Sequence, residues 1–529
     1  METTRRPLTL AANRAALVAR LMANPAVLGF WGALAAGAAV RLWRLETKSL
    51  WFDEAYSVFV ANQPLVDIPR LLRLYDTHPP LHYVLLHFWM PLVGSSEMAV
   101  RGLSVAASVG VIALTYLFAR RLAEGRVAAL AALIVAFSPF QIIAAQEARM
   151  YPFLTLFSLG ASYALWLALE GGRRRYWIVY AALLFLALTT HHFAFLLVLA
   201  HGIYIVAAHR RRGGTVAWAR WTGLAVVAYA PLLPLLWGQL TTARAWPDIR
   251  PPFGLGALTD TLGMLSFGGG MLGMGTYFRA GSLGLEYRPA ILLPFLLLSA
   301  CGVGALIDTR RRTFVLVYWL VPVLATAAVS VRWNIFYERY FSFVLPAVSV
   351  LLAAGIFFLS DTVRPGLRRG VLAGLLTYLI SFNAPTLAAV YSTRPTYDWR
   401  AAGWHVGAAA RGDDFVLFVP AYTRIPFEYY FHGSQARMAI NPQEVLAVHL
   451  QAQRGSLRLR TSVEPAQMSA IARKHPRMWM IASLGLGGEV RAQMAQGLAP
   501  YFRQVGEDAF GLVGASLWES RLYQREGGR

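Results

Sequence analysis

Long apolar stretches recur between residues 26 and 391, separated by short segments that are polar or rich in arginine. An α-helix needs about 20 apolar residues to cross the hydrocarbon core of a bilayer. The pattern predicts an all-α polytopic membrane protein with eleven spans, at residues 26–40, 98–119, 127–145, 151–169, 177–189, 193–208, 223–240, 289–307, 314–330, 341–359 and 371–391.

Composition supports this prediction and excludes other classes of protein. Hydrophobic residues make up 57% of the 529 residues and charged residues only 14%, against about 25% in soluble proteins. Basic residues outnumber acidic ones by 49 to 27, which gives a net charge of +22. Because the arginines fall in short clusters between apolar stretches, they indicate membrane topology and not nucleic-acid binding. The single cysteine, Cys301, excludes an internal disulfide framework.

The arginine clusters set the orientation of the predicted spans. Loops on the cytoplasmic side are enriched in arginine, and each of five clusters follows an even-numbered span, so all five share one side with the basic N-terminus. The first apolar run has no small-residue cleavage site after it, so we interpret it as an uncleaved span. The clusters are Arg120/Arg121/Arg126, Arg173–Arg175, Arg210–Arg212, Arg310–Arg312 and Arg364/Arg368/Arg369.

One apolar segment, residues 81–93, does not fit this scheme as a span. It is short for a membrane crossing, and counting it would move every later arginine cluster to the outer side. We interpret it as a buried or partly inserted helix of the first outer loop, residues 41–96.

The last part of the chain differs in composition and contains no membrane-length apolar run. Segments 415–419 and 478–481 predict strands, and segments 399–410 and 489–498 predict amphipathic helices. We therefore expect a small α/β domain on the outer face. The predicted domains are residues 1–391 in the membrane and residues 392–529 outside it.

Two adjacent acids, Asp53 and Glu54, follow the first predicted span in the sequence LWFDEAYS, residues 50–57. One interpretation is a helix start, because acids complement the dipole of a helix N-terminus and aromatic residues favour the bilayer interface. The other is catalysis, because carboxyl groups with perturbed pKa values mark functional sites. These residues alone leave both interpretations open.

Four further polar segments lie in the predicted outer loops. YDTHPPL, residues 75–81, places His78 before two prolines whose restricted backbone can aim the imidazole. His191 and His192 are adjacent, and adjacent side chains on a helix diverge, which disfavours a shared metal. Each segment also has a structural interpretation, such as a polar turn or an arginine that reaches headgroup phosphates. The other candidates are Glu147, Arg149 and Tyr151 in AQEARMY, and Tyr337 and Arg339 in NIFYERYF.

Together these candidates put acids, histidines and arginines on one face of the predicted bundle. Charges at membrane depth are costly and usually functional, and an arginine among aromatic residues suits an anionic ligand such as phosphate. A carboxylate can deprotonate an acceptor while cations stabilise a departing phosphate. The layout therefore fits chemistry on a lipid-linked phosphate ester.

The order of these segments resembles that of a known family. LWFDEAYS, HPPLHYVLLHFW, GSSEMAVRGLS, EARMY and ERYFSFVLPA are similar to segments of the polytopic GT-C glycosyltransferases of the PMT/ArnT kind. These are glycosyltransferase family 39 and its RgtA/B/C/D-like bacterial relatives. The similarity covers about residues 20–390, and the tail resembles the outer-face domain that many bacterial members carry.

The resemblance implies a GT-C fold and an inverting transfer of a sugar from a polyprenyl-monophosphate donor to a lipid, glycan or protein acceptor. It implies that Asp53 is the general base and that Glu54 positions it or helps to bind substrate. DTHPPL resembles the DVHPPL of protein mannosyltransferases, which implies that His78 lies near the donor phosphate or the acceptor. Arg339 would hold the phosphate. The other implied site residues are Glu147, Arg149, Tyr151, His191, His192 and Tyr337.

The resemblance implies no cofactor and no general need for a metal, and a divalent cation stays the open alternative. The aminoarabinose transferases carry a lysine before the two prolines, so His78 replaces a permanent cation. Membrane lipids are expected partners and nucleic acid is not. The expected location is the inner (plasma) membrane, with the N-terminus in the cytoplasm and the C-terminal domain in the periplasm or outside the cell.

Two other functions stay open. Eleven spans fit a transporter, but transporters tend to place polar residues at the bilayer midplane with repeat symmetry, whereas here they gather at one face. An O-antigen ligase or polymerase that uses polyprenyl-diphosphate donors is the third alternative. Neither the sugar nor the acceptor can be named from the sequence.

Overall fold

The structure is a computed structural model that describes residues 24–209, 212–242, 253–267, 289–392, 396–439, 465–484 and 488–523. The chain forms two compact units. The bundle unit comprises Met1–Leu45, Arg101–Leu233 and Phe253–Ser392, and the loop unit comprises Glu46–Val100, Pro234–Pro252 and Thr393–Arg529.

Before residue 393 the described chain is built from α-helices, joined in places by short 3₁₀ helices. The α-helices are α1 (Pro25–Leu42), α2 (Phe52–Ala61), α3 (Ile68–Tyr75), α4 (Leu81–Val93), α5 (Glu97–Leu122), α6 (Gly125–Phe137), α7 (Pro139–Ala145), α8 (Tyr151–Gly171), α9 (Arg174–Thr190), α10 (Ala194–Ala208), α11 (Arg212–Tyr229), α12 (Leu233–Thr242), α13 (Leu255–Phe267), α14 (Pro289–Ala305), α15 (Thr309–Ser330), α16 (Leu345–Thr362) and α17 (Arg368–Ser392).

Seven helical segments of the described chain are long and apolar enough to cross a membrane, and the bent pair α6 and α7 would make an eighth. The prediction of an all-α polytopic membrane protein is therefore confirmed. Each of the eleven predicted spans overlaps a described helix, but the number eleven stays a prediction. The seven segments are Pro25–Leu42, Glu97–Leu122, Tyr151–Gly171, Gly213–Thr241, Thr309–Ser330, Glu338–Thr362 and Pro365–Ser392.

The short apolar segment of the first loop is the helix α4, with 13 residues. At 1.5 Å per residue it is about 20 Å long, against a hydrocarbon core of about 30 Å. His82, Tyr83 and Leu86 on this helix are buried. A His87 ring nitrogen lies 2.7 Å from the carbonyl oxygen of Ala61, at the end of α2. That α4 stays on the outer side is still a prediction.

The helix α6 ends in a 56° bend before α7, and the buried Arg41 of α1 holds that end. Its guanidinium donates to the carbonyls of Ala136 at 2.7 Å and Val135 at 3.1 Å, in the last turn of α6. It also donates to Ser108 Oγ on α5 at 2.8 Å. A cation at a helix C-terminus is favourable because the free carbonyls there carry partial negative charge. One side chain thus joins three helices.

Two glycines bring α14 and α16 into backbone contact. A Cβ atom on Gly302 would lie 1.9 Å from the carbonyl oxygen of Leu351, and one on Gly355 would lie 2.0 Å from that of Leu298. Small residues allow this close approach, which drives helix packing in membranes through van der Waals contact.

Residues 396–523 contain a five-stranded sheet in the order β2-β1-β3-β5-β4. The strand β1 pairs in parallel with β2 and β3, and β5 pairs antiparallel with β3 and β4. The elements are β1 (Phe415–Val419), β2 (Ala436–Ala439), β3 (Arg477–Ser483), β4 (Phe502–Phe510), β5 (Val513–Ser520), α18 (Trp399–Ala409), α19 (Arg424–Tyr430), α20 (Pro465–Lys474) and α21 (Gly488–Leu498).

The two sheet faces carry separate cores. One packs α18 and α19 on the sheet through residues such as Trp399 and Phe427, and the other packs α20 and α21 through Met468 and Leu498. The predicted small C-terminal α/β domain is therefore confirmed, including both predicted strands and both predicted helices. The proposed domain boundary at residue 392 stays a prediction.

Candidate active site

The sequence LWFDEAYS forms the start of α2. Trp51 is the N-cap residue, with an extended backbone, and its N–H donates to Glu54 Oε2 at 3.3 Å. Glu54 is 1% exposed. Its carboxylate thus satisfies a donor at the helix start, as the third residue of a capping box does. The helix-start interpretation accounts for Glu54.

Asp53, one residue earlier, has a different environment. It lies in the first turn of α2 and is partly exposed. Its backbone carbonyl accepts a hydrogen bond from Ser57 Oγ at 2.8 Å. Of the two adjacent acids, Asp53 is the more exposed residue.

His78 lies between α3 and α4 and is fixed by a neighbouring acid. Its Nδ1 lies 2.6 Å from Asp76 Oδ1, and that oxygen also accepts from the backbone N–H groups of Thr77 and His78. Tyr83 donates to the other oxygen of Asp76. Because a carboxylate only accepts, we assign the proton to Nδ1, which makes Nε2 the basic nitrogen of the neutral ring.

Two residues that support His78 were not predicted. Asp76 lies in the quoted motif DTHPPL, where an acid two residues before a histidine is a readable signal. Gln239, on α12, is 161 residues away in sequence, and its side-chain amide donates to the carbonyl of His78 at 2.9 Å and to that of Leu72 at 3.2 Å. Only the fold could reveal Gln239.

In the bundle unit, an ion pair joins two of the predicted segments. Arg339 lies in a 3₁₀ helix, Glu338–Val344, and its guanidinium donates to the carboxylate of Glu147. Both residues are buried, at 6% and 8% exposure. The guanidinium carbon of Arg339 also lies 4.9 Å from the centre of the Tyr151 ring, which is within range of a cation–π contact.

Aromatic rings extend this cluster around Tyr340, which was not predicted. Its ring centre lies 4.6 Å from that of His191, 5.0 Å from that of Tyr337 and 6.3 Å from that of Tyr151. Phe193, also not predicted, lies 4.8 Å from Tyr340. Four predicted site residues, Tyr151, His191, Tyr337 and Arg339, therefore belong to one aromatic cluster in the bundle unit.

The two adjacent histidines diverge, but not on a helix as expected. His191 caps the end of α9 with an extended backbone, because the chain breaks there before α10. Its Nδ1 accepts from the Phe193 N–H at 3.1 Å. His192 instead approaches Tyr229, whose hydroxyl lies 3.3 Å from its Nδ1.

Arg149 brings a second cation to this part of the bundle unit. It is 3% exposed. Its backbone N–H donates to the carbonyl of Glu147 at 2.8 Å, in the turn between α7 and α8. Its own carbonyl accepts from Ser104 Oγ at 3.1 Å. Glu147, Arg149 and Arg339 sum to a charge of +1, two cations minus one anion, which suits an anionic group.

The ten predicted residues fall in two sets. Asp53, Glu54 and His78 belong to the loop unit, and the other seven belong to the bundle unit. Among the residues that the structure describes, no group of three or more His, Cys, Asp or Glu could hold a metal ion.

Part of the chain matches a known family model. The family model described as dolichyl-phosphate-mannose-protein mannosyltransferase matches residues 77–237. This segment includes His78 and the whole of AQEARMY. No curated protein matches the chain.

Several solved structures are similar in fold to nearly the whole chain. ArnT from Cupriavidus metallidurans in the apo state has a TM-score of 0.59 at 13% identity, over 92% of this chain and 97% of that chain. The chain has the GT-C fold. ArnT bound to undecaprenyl phosphate gives a TM-score of 0.56, at the same identity and coverage.

The same GT-C fold extends to a more distant enzyme. The archaeal oligosaccharyltransferase AglB from Archaeoglobus fulgidus, in complex with an inhibitory peptide and a dolichol-phosphate, has a TM-score of 0.53 at 12% identity, over 92% of this chain and 74% of that chain. The resemblance of the five sequence segments to the GT-C glycosyltransferases is therefore confirmed for the fold.

Proposed function

We propose that this GT-C protein is an integral-membrane glycosyltransferase that moves a sugar from a polyprenyl-phosphate donor to an acceptor on the outer face. The observation that carries the proposal is the buried cluster of Glu147, Tyr151 and Arg339, with Arg149 nearby, in a fold whose solved members bind undecaprenyl or dolichol phosphate. With Arg149 included, the net charge is +1, and this charge and the aromatic rings suit a phosphate attached to an apolar chain.

The proposed reaction is a single displacement. Asp53 accepts the proton of the acceptor hydroxyl, and the acceptor oxygen bonds to the anomeric carbon of the sugar. The bond from that carbon to the phosphate oxygen breaks, and its electron pair leaves with the phosphate. Arg339 stabilises the negative charge on the departing phosphate. One displacement at one carbon inverts its configuration.

The other residues have supporting roles in this proposal. Glu54 holds the start of α2 and so the direction of Asp53. His78, fixed by Asp76, offers Nε2 to the donor phosphate or the acceptor. The rings of His191 and Tyr337 pack against the ring of Tyr340 in the aromatic cluster. His192 lies beside them in the chain, at the break between α9 and α10. No residue role in this proposal requires a metal or another cofactor.

The test has two steps. Mass spectrometry of envelope glycans and glycolipids, with and without the gene, identifies the sugar and the acceptor. Asp53→Asn should then abolish transfer by the purified protein, because the amide cannot accept the proton. Asp67→Asn, in the same loop at the start of α3, is the matched control and should stay active. Full activity of Asp53→Asn would remove Asp53 as the base.

The lipids that accumulate in cells without the gene distinguish the alternative functions. Loss of a glycosyltransferase that uses a monophosphate donor should cause that lipid to accumulate. Accumulation of a polyprenyl-diphosphate lipid would instead indicate a ligase or polymerase. Exchange of labelled lipid across vesicles without sugar transfer would indicate a transporter.

A further inference from the structure

The α/β domain contacts the chain immediately before the acidic pair. Tyr430, the last residue of α19, accepts a hydrogen bond from the Leu50 N–H at 2.7 Å and donates one to Glu97 Oε1 at 2.9 Å. Burial, and then the nearby Glu97 carboxylate, raises the pKa of Tyr430, against the lowering effect of the Leu50 N–H. The hydroxyl therefore keeps the proton that it donates.

Glu97 is held from its other side by Arg400 of α18. Arg400 Nη2 lies 2.6 Å from Glu97 Oε1, and Arg400 Nε donates to the same oxygen at 2.9 Å. Arg400 also donates to the carbonyl of Glu46 at 2.7 Å. The side chains of Arg400 and Glu97 are only 22% and 15% exposed, so solvent screens this pair less than a surface pair.

Two more contacts lie on either side of Trp51. Ser49 Oγ donates to the carbonyl of Tyr397 at 2.8 Å. The Phe52 ring meets the Tyr422 ring edge-on, with 5.4 Å between their centres.

Tyr422 follows β1, at the carboxyl end of the parallel strands. That edge is where α/β sheets usually bind ligands. Here Phe52, the residue before Asp53, packs against Tyr422 at that edge. Another part of the same chain therefore lies where such sheets usually bind a ligand.

We propose that the α/β domain is a clamp for the acidic helix α2, with Tyr430 and Arg400 as positioning residues. The clamp holds the backbone of residues 46 and 50 and the side chains of residues 49 and 52. It thereby fixes the direction of the first turn of α2, which carries Asp53. It rests on the proposed role of Asp53 as base. The clamp gives a function to Glu97 and to the C-terminal α/β domain, neither of which has a role in the proposed reaction.

Catalysis is sensitive to such positioning, because a misplacement of about 1 Å can cost about 100-fold in rate. In Tyr430→Phe, the Leu50 N–H loses its acceptor and Glu97 loses a donor. We expect kcat to fall about tenfold or more, as for a lost hydrogen bond to a charged group. KM for the lipid donor should stay within about twofold, because the change removes no residue proposed to bind phosphate.

Tyr501→Phe is the matched control. It removes the same hydroxyl in the same domain, but Tyr501 packs on the opposite core, with α20 and α21. This variant should keep the kcat of the wild type. Arg400→Gln, which breaks the pair with Glu97, should repeat the effect of Tyr430→Phe and covers the case in which one variant fails to fold.

Hydrogen–deuterium exchange of the full-length protein provides a readout that does not need activity. Amides in a peptide covering residues 46–57 should exchange faster in Tyr430→Phe and Arg400→Gln than in the wild type or Tyr501→Phe. A normal exchange rate and a normal kcat in both clamp variants would overturn the clamp. So would a change confined to the amount of folded protein, because a merely structural contact would leave kcat per folded molecule unchanged.

Failure of the clamp is distinguishable from failure of the proposed function. If Asp53→Asn is inactive but the clamp variants are normal, the base stands and the clamp is wrong. If Asp53→Asn is fully active, the base is wrong. Faster exchange at residues 46–57 would then still support a contact that holds α2, but the positioning role would be overturned with the base.

Discussion

Glu147 and Arg339 are 192 residues apart in sequence and form a buried ion pair. Removal of one partner from such a pair leaves a buried charge without its counter-charge, and typically costs about 3–5 kcal/mol. The pair therefore has two consequences at the scale of the residue. It holds a cation ready for an anionic ligand, and it ties the 3₁₀ helix Glu338–Val344 to the turn between α7 and α8.

Glu147→Gln should lower the free energy of unfolding by about 3 kcal/mol or more for this reason. Glu519→Gln provides the comparison, since Glu519 pairs with Arg503 at 3.0 Å where both side chains are largely exposed. That change should cost less than about 1 kcal/mol. Thermal inactivation in detergent measures both. Equal effects of the two changes would mean that the Glu147 pair is solvated and not buried.

At the scale of the element, the helices α14 and α16 depend on two glycines. Gly302 and Gly355 each face a carbonyl of the other helix at a distance that leaves no room for a methyl group. Gly302→Ala should therefore push the helices apart and destabilise the protein by about 1–3 kcal/mol, as overpacking does.

Gly304, two residues later on the same helix, is the matched control, because a Cβ there meets nothing within 4 Å. Gly304→Ala should be neutral or stabilising by up to about 1 kcal/mol through helix propensity. Melting temperatures of the two purified variants test the pair. If both alanines have the same effect, helix propensity and not the close contact sets the stability of α14.

At the scale of the whole molecule, the proposed orientation follows from the arginine clusters. A fluorescent-protein fusion that ends at Gly172, before Arg173, should fluoresce, because that protein folds in the cytoplasm. Alkaline phosphatase fused after Arg529 should be active, because the enzyme matures outside. The reverse pattern at both positions would invert the orientation, and an inactive phosphatase alone would move the α/β domain to the cytoplasm.

Much of the fold was predictable because its signals are local. Apolar runs marked the membrane helices, and the buried strands β1 and β3 read as short apolar segments. The strand β4 was missed because its residues 503–509 are exposed, so it lacks any apolar pattern. The strands β2 and β5 were also missed, because β2 has only four residues and the sequence VGASLWES of β5 has no continuous apolar run.

The candidate residues show the same limit. The ion pair of Glu147 with Arg339 joins two segments that were singled out separately, and the family order linked them before the fold did. Tyr340 was missed although it adjoins Arg339, because nothing in NIFYERYF tells which aromatic ring faces His191. Gln239 and Tyr430 act through hydrogen bonds to residues as far as 167 and 380 positions away. Such contacts leave no periodicity in the sequence.

The position of Arg41 has a consequence for biosynthesis. Its carbonyl acceptors in α6 lie 94 and 95 residues later in the chain, so the ribosome makes α1 well before the helix whose carbonyls accept from its guanidinium. During that interval the guanidinium must reach water or lipid headgroups, as arginines near helix ends do. We therefore expect the membrane insertion of α1 and α6 to be coupled through this one side chain.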